Sequence, residues 1–330
     1  MTPTIKDVAN LAGTSIATVS RVINGVDCVS EDTKKRVEKA INDLGYRPNP
    51  VGRMLKSGGI NSISVILPYR LSSFYGRLVN GMTQEAIAND YTLLVCACND
   101  DRDYEKTIVD RLLKDVVKGF VFLGSFMDSH ELSEIDKKLP TVLCCEQVRK
   151  SDLLTVVADY EAGAKMAVEK LISAGHKRIG YISMRHKPYS SELKQKGFQD
   201  ALREAGIEDR DEYYFYGAHT VQTGGSAMKY FACLDEPPTA IFAENDRLAA
   251  GAVACAEGMG MKVGKDIAII GFDDLDICTM TNPKLSSVHQ PLEEMGKIVV
   301  RMLIEIINQE RENSGTIKVP VSLSLRETVN

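Results

Sequence analysis

From Ile60 onward, short apolar runs of strand length alternate with longer segments of helical period, and this alternation constrains the fold more than any other feature of the chain. Ser62 to Leu67 reads as a strand, Phe74 to Asn89 as a helix, Tyr91 to Cys98 as a strand, Tyr104 to Asp115 as a helix and Gly119 to Leu123 as a strand. Continuous apolar strands interleaved with helices imply parallel sheets covered on both faces. A second series begins near Asp159: helix to Ala174, strand Arg178 to Ser183, helix Glu192 to Ala205, strand Thr239 to Ala243, helix Asp246 to Met259 and strand Asp266 to Gly271. Two Rossmann-like lobes enclosing a cleft follow. Because open parallel sheets bind ligands beyond the carboxyl ends of their strands, the loops there are expected to face the cleft.

The first sixty residues follow another pattern. Thr4 reads as the N-cap of a helix from Ile5 to Ala12, whose Ile5, Val8, Ala9, Leu11 and Ala12 form one apolar face. Gly13 stops that helix. Ser15 then caps a second one, Ile16 to Asn24, with Asn24-Gly25 as its exit. A third helix, Glu31 to Leu44 after Ser30, supplies Val37, Ala40, Ile41 and Leu44 to the same small core. Two short helices joined by a glycine-containing turn make a helix-turn-helix. Beyond it, Pro50 to Gly59 holds a segment too short to be a stable helix alone in water.

Charge divides the same way. The chain carries a net −5, yet residues 1–58 hold nine Lys/Arg (Lys6, Arg21, Lys34, Lys35, Arg36, Lys39, Arg47, Arg53, Lys56) against six Asp/Glu (Asp7, Asp27, Glu31, Asp32, Glu38, Asp43). A basic end on an acidic body suits a headpiece that alone meets phosphates. The start of the chain lacks a signal-peptide pattern and no apolar stretch is long enough to span a bilayer, so a cytoplasmic location is expected. The eight cysteines lack zinc-ligand spacing, and the close pairs Cys96/Cys98 and Cys144/Cys145 sit in apolar runs that read as buried strands. Neither metal nor cofactor is expected. An enzyme would need a nucleophile–base set or a glycine-rich phosphate loop; G-x-G-x-x-G and G-x-S-x-G are absent and the five histidines occur singly.

Thr4-Ile5-Lys6-Asp7-Val8-Ala9, Ala17-Thr18-Val19-Ser20-Arg21-Val22-Ile23-Asn24-Gly25 and Leu44-Gly45-Tyr46-Arg47-Pro48-Asn49-Pro50 together resemble the headpiece of the lactose/galactose repressor (LacI/GalR) family. Gly175 to Ile182, Pro238 to Phe242, Asn245 to Gly251 and Ile269 to Asp274 resemble its effector-binding core, so the likeness spans essentially the whole chain. It implies an all-α headpiece (1–47), a hinge (48–59) and a periplasmic-binding-protein-like α/β sensor (60–330). One lobe would hold about 60–158 and 291–318, the other about 159–290 and 319–330. It implies that the second helix lies in the major groove of double-stranded DNA. Ile16 and Ala17 would then face base edges, where they can read a thymine methyl, and Ser15, Thr18, Ser20 and Asn24 would contact phosphates. On the same resemblance Arg21 would contact a base or a phosphate and be the main polar reader, Leu55 would be the minor-groove wedge, and Thr4, Tyr46 and Arg53 would complete the DNA-binding set. A pseudo-palindromic operator and a homodimer are implied, the end of the chain lacking a heptad tail.

For the effector the resemblance points to Asn245 and Asp273 as polyol contacts, Phe74 and Tyr75 as an apolar wall, and Glu146, Ser190, Lys194 and His219 as further members. Asp246 reads as the cap of its own helix. Lys194 stands three residues before Gly197-Phe198, where the sugar repressors carry arginine, and loses that residue's planar fork. A lysine there also occurs in the family's carbon-catabolite regulators, which use a phosphorylated carrier protein as corepressor. Two control modes therefore stay open: a small-molecule effector, a sugar or related metabolite, or a phosphocarrier corepressor. A sugar-binding protein without DNA function would share the sensor, but not residues 1–59.

Overall fold

The computed structural model describes residues 3–23, 29–46, 61–69, 71–114, 116–185 and 188–329. Two units separate at Ile60/Asn61.

In the first unit, helix α1 (Ile5–Ala12) is followed by α2 (Ile16–Ile23) and α3 (Glu31–Leu44). The turn between α1 and α2 needs a left-handed residue: Gly13 has φ 62°, and the Thr14 N–H then reaches back to the Ala9 carbonyl at 3.0 Å. A β-carbon would strain that conformation. Val8, Ala9, Ala12, Val19, Val37 and Ala40 are buried together, and Ile5, Val22, Ile41, Leu44 and Tyr46 pack around them.

The second unit contains two six-stranded sheets. In the first lobe β1 (Ser62–Leu67), β2 (Thr92–Ala97), β3 (Gly119–Phe122), β4 (Thr141–Cys144), β5 (Thr155–Ala158) and β11 (Thr316–Val319) lie in the order β11-β5-β4-β3-β1-β2, all parallel. Helices α4 (Ser73–Ala88), α5 (Arg102–Leu112), α6 (Ser129–Asp136) and α12 (Leu292–Ile307) belong to this lobe. The other sheet runs β12-β10-β9-β8-β6-β7, from β6 (Ile179–Met184), β7 (Tyr214–Gly217), β8 (Ala240–Ala243), β9 (Ala268–Asp273), β10 (Ser286–His289) and the antiparallel edge strand β12 (Ser322–Ser324). Its helices are α7 (Tyr160–Ser173), α8 (Tyr189–Glu204), α9 (Val221–Ala232), α10 (Asp246–Gly258) and the one-turn α11 (Ile277–Met280). The chain thus crosses between lobes after β5, after β10 and after β11.

Several sequence readings need correction. The run holding Cys96 and Cys98 is not an interior strand, since β2 forms the sheet edge and Val95 is exposed. Helix α5 starts at Arg102, because the Asp101 carboxylate accepts the Tyr104 N–H (2.9 Å), and α8 starts at Tyr189, directly after Pro188. Strand β9 begins at Ala268 and runs on to Asp273.

Helix pairs in these lobes approach closely. A β-carbon on Gly224 of α9 would fall 1.9 Å from the Leu248 carbonyl oxygen of α10, and one on Gly251 would fall 1.9 Å from that of Val221. Only hydrogen fits at either position. In the core of the second lobe, Tyr181, Phe198 and Phe242 form a mutually packed trio, with ring centroids 5.0, 5.7 and 6.4 Å apart.

Candidate functional site

The headpiece presents the amino end of α2. Ser15 Oγ accepts the Thr18 N–H at 3.1 Å and lies 2.9 Å from the Thr18 hydroxyl, so both side chains are already engaged in capping. Ile16, Ala17 and Arg21 are exposed, while Thr18 and Ser20 are half-buried. The Thr4 N–H (2.8 Å) and hydroxyl (2.7 Å) both donate to Asp7, which holds that carboxyl below its usual range. Tyr46 packs on the headpiece core. Asn24, Arg53 and Leu55 lie outside the described residues.

In the second unit, polar residues from both lobes gather at the carboxyl ends of the strands. Phe74 and Tyr75 open α4, their rings edge to face at 5.4 Å. Burial pushes the Tyr75 phenol up, and Cys145, Glu146, Tyr69 and Asp273 add to the effect. Carboxylates of both lobes, Glu146 and Asp273, thus bear on Tyr75. Glu146, just after β4, accepts the Ser190 N–H at 3.1 Å and the Ser190 hydroxyl, bonding the first lobe to the first turn of α8. Burial raises Glu146, while the Ser190 bonds and Lys194 pull it back.

Lys194 lies one turn along α8. It is buried, donates to the Glu244 carbonyl at 3.0 Å and rests 4.3 Å from the Phe272 ring centroid. Its ammonium is a fixed cation inside the site rather than a fork held out to a ligand. Asp273 ends β9 with φ 107°, an uncommon backbone for a residue with a β-carbon. Burial pushes its carboxyl up to about 8 against the opposing pull of Lys194. Gln290 Nε2 donates to Asp273 at 2.6 Å, and Gln290 Oε1, fully buried, has no partner among the described residues. Gln290 was not anticipated; the clue in the sequence was an amide between β10 and Pro291, at a lobe crossing.

His219 precedes α9 and hydrogen-bonds Asn245. Burial and the charges of Lys194 and Arg247 push its imidazole down to about 4, leaving it neutral at physiological pH. The capping role read for Asp246 belongs to Asn245. Asn245 is the N-cap of α10, its Oδ1 accepting the Leu248 N–H at 3.0 Å. Asp246 instead is buried and accepts the Leu275 N–H (2.7 Å) and the Ser287 hydroxyl (2.5 Å), pinning the loop after β9. Asn245 thus keeps only part of its bonding capacity for a ligand.

Four further contacts join the lobes. Arg77 of α4 donates to the Asp274 carbonyl (3.0 Å) and pairs with Asp276 (2.5 Å), the Tyr160 hydroxyl donates to the Cys145 carbonyl (2.8 Å), and Arg149 pairs with Glu192. No cluster of three or more His, Cys, Asp or Glu able to hold a metal ion occurs among the described residues. No helix among them is long and apolar enough to cross a membrane.

A helix-turn-helix headpiece and a two-lobed sensor with buried polar groups at its strand ends define an effector-responsive DNA-binding regulator. Residues 4–49 match the family model for bacterial regulatory proteins of the lacI family, and residues 168–329 that for a periplasmic binding protein-like domain. The chain is 35% identical over 330 residues to catabolite control protein A of Priestia megaterium, covering 99% of each. It is 34% identical over 324 residues to the HTH-type transcriptional repressor CytR of Escherichia coli (strain K12), covering 98% of this chain and 95% of that one. Its structure resembles that of the Lac repressor dimer bound to operator and the anti-inducer ONPF, with a TM-score of 0.88, 26% identity and 99% of each chain covered. The chain belongs to the lacI family of bacterial regulatory proteins. It is a DNA-binding transcriptional regulator and not an enzyme.

Proposed function

We propose that this regulator works in the cytoplasm as an operator-binding homodimer, with a hydroxyl-rich small molecule held between its lobes setting its DNA affinity. The observation that carries the reading is the convergence of Glu146, Ser190, Lys194, Asp273 and Gln290, contributed from both sides of the lobe boundary around Tyr75. A ligand bonding to groups on both lobes favours one lobe arrangement over another, and that difference in affinity is what allosteric control requires. On the DNA side, Ile16, Ala17 and Arg21 read bases at the exposed end of α2. Ser15, Thr18 and Ser20, with Thr4, Tyr46, Asn24 and Arg53, hold the backbone, and Leu55 kinks the central step. Exposed apolar side chains such as Val95 on edge strand β2 and Met280 on α11 support a second copy as partner.

The corepressor reading rests on Lys194 and on the similarity to catabolite control protein A. Operator titrations of Asp273→Ala, made with an effector and separately with phosphorylated carrier protein, separate the two. On the small-molecule reading the variant binds operator like wild type and loses its response to the effector. Loss of operator binding itself, or a full effector response, would count against the cleft.

A further inference from the structure

The cleft residues described above are hydrogen-bonding groups; beside them stands an aromatic pair that the family reading left unassigned. Strands β1 and β3 are neighbours in register, Ile66 opposite Phe122, so their carboxyl ends lie side by side. Tyr69 follows one and Phe126 the other, and their rings meet edge to face with centroids 5.9 Å apart at 88°. Tyr69 is 51% exposed, a large ring offered to solvent although held in place. It borders the cleft: a β-carbon on Gly124, at the end of β3, would lie 3.3 Å from Pro68, the residue before Tyr69, and 3.5 Å from Glu146, so the ends of β1, β3 and β4 meet there.

What holds the pair is a buried acid. Glu105 of α5 is fully buried, and its carboxyl accepts the Ser125 hydroxyl at 2.7 Å and the Phe126 N–H at 3.0 Å. The Ser125 oxygen in turn accepts the Met127 N–H at 3.0 Å. Burying a carboxyl is costly unless its bonds are met, and here they all go to the loop that presents Phe126. The loop is fixed before any ligand arrives, which lowers the ordering cost of binding.

We propose that Tyr69, its ring braced edge to face by Phe126, is a stacking platform for the flat face of a ring-shaped effector. Glu146 and Asp273 would engage that effector's vicinal hydroxyls. The proposal rests on the cleft being the effector site. Two ligand sources share this chemistry: the C–H face of a pyranoside, and the base of a nucleoside with its ribose diol. An acyclic polyol has the hydroxyls without the face. Glu105 acts only as a positioning residue.

The chain contains no tryptophan, so Tyr69→Trp places a single indole on the platform. Full-length wild type is titrated by thermal shift, and the Tyr69→Trp protein by emission, with methyl β-D-glucopyranoside, 4-nitrophenyl β-D-glucopyranoside, adenosine, cytidine and sorbitol. The expected result is that one ring class, pyranoside or nucleoside, raises the wild-type melting temperature and moves the indole emission with the same midpoint, sorbitol doing neither. Tyr69→Ala should weaken that midpoint by about tenfold. A ligand that stabilises wild type while leaving the emission and the Tyr69→Ala midpoint unchanged overturns the platform and spares the cleft. Failure of every ring compound up to millimolar concentration overturns the ring-face class. Retention of the shift by Asp273→Ala would instead remove the cleft on which the proposal stands.

Discussion

Replacing Asp273 by asparagine should stabilise the sensor at neutral pH, by an amount that depends on pH. Asp273 is 6% exposed, accepts a hydrogen bond from Gln290, and burial pushes its carboxyl up to about 8 from an ordinary 3.8. Between those values the folded chain retains a proton that the unfolded chain releases. The stability linked to this group is therefore full below about 3.8 and is lost as pH rises through about 8. The slope is about 1.4 kcal/mol per pH unit, which accumulates to about 4 kcal/mol by neutrality. The Asp273→Asn variant keeps the shape of the side chain and removes the titration. Its amide can donate to the orphaned Gln290 Oε1. Urea unfolding of both proteins at intervals from about pH 5 to about pH 9 measures the difference. The variant's advantage should grow with pH at close to the stated slope and level off above about 8. A constant difference, or a variant less stable than wild type at pH 8, would refute the assignment of this proton to Asp273.

Other substitutions test separate parts of the account. Gly224→Ala should cost about 1–3 kcal/mol, because its β-carbon would overlap the Leu248 carbonyl. Gly225→Ala, one residue along and with its nearest neighbour at 3.6 Å, should be neutral or gain up to about 1 kcal/mol of helix propensity; melting curves of the two should move apart. Asn245→Ala removes the α10 cap and should lower stability by about 1 kcal/mol, read by urea unfolding. Leu55→Ala should weaken operator binding far more than non-specific binding, since a minor-groove wedge acts only where the duplex kinks; equal losses in anisotropy titrations on both DNAs would place Leu55 outside the groove.

The sequence was most legible where structure is local. Thr4, Gly13 and Ser15 are caps and turn residues whose roles depend on neighbours three or four positions away, and all three stand where the pattern put them. The βα alternation was equally readable, because burial on both faces leaves unbroken apolar runs. Strands β5, β7, β10, β11 and β12 and helices α6, α11 and α12 went unread: the strands are only three or four residues long, and the late elements return to sheets built much earlier in the chain. At the site, strand-end position identified Glu146 and Asp273 as inward-facing. It did not tell Asn245 from Asp246, since which of two adjacent polar side chains caps the helix depends on Leu275 and Ser287, which lie 29 and 41 residues beyond Asp246. Gln290, Tyr69, Phe126 and Glu105 became visible only once distant loops were brought together.

The central claim is that the headpiece reads DNA sequence, and an anisotropy titration of the full chain against a selected pseudo-palindromic duplex and a scrambled one, at several salt concentrations, tests it most directly. The account predicts much tighter binding to the palindrome, with affinity falling steeply as salt rises because paired headpieces neutralise many phosphates. Equal affinity for both duplexes, or binding indifferent to salt, would contradict it.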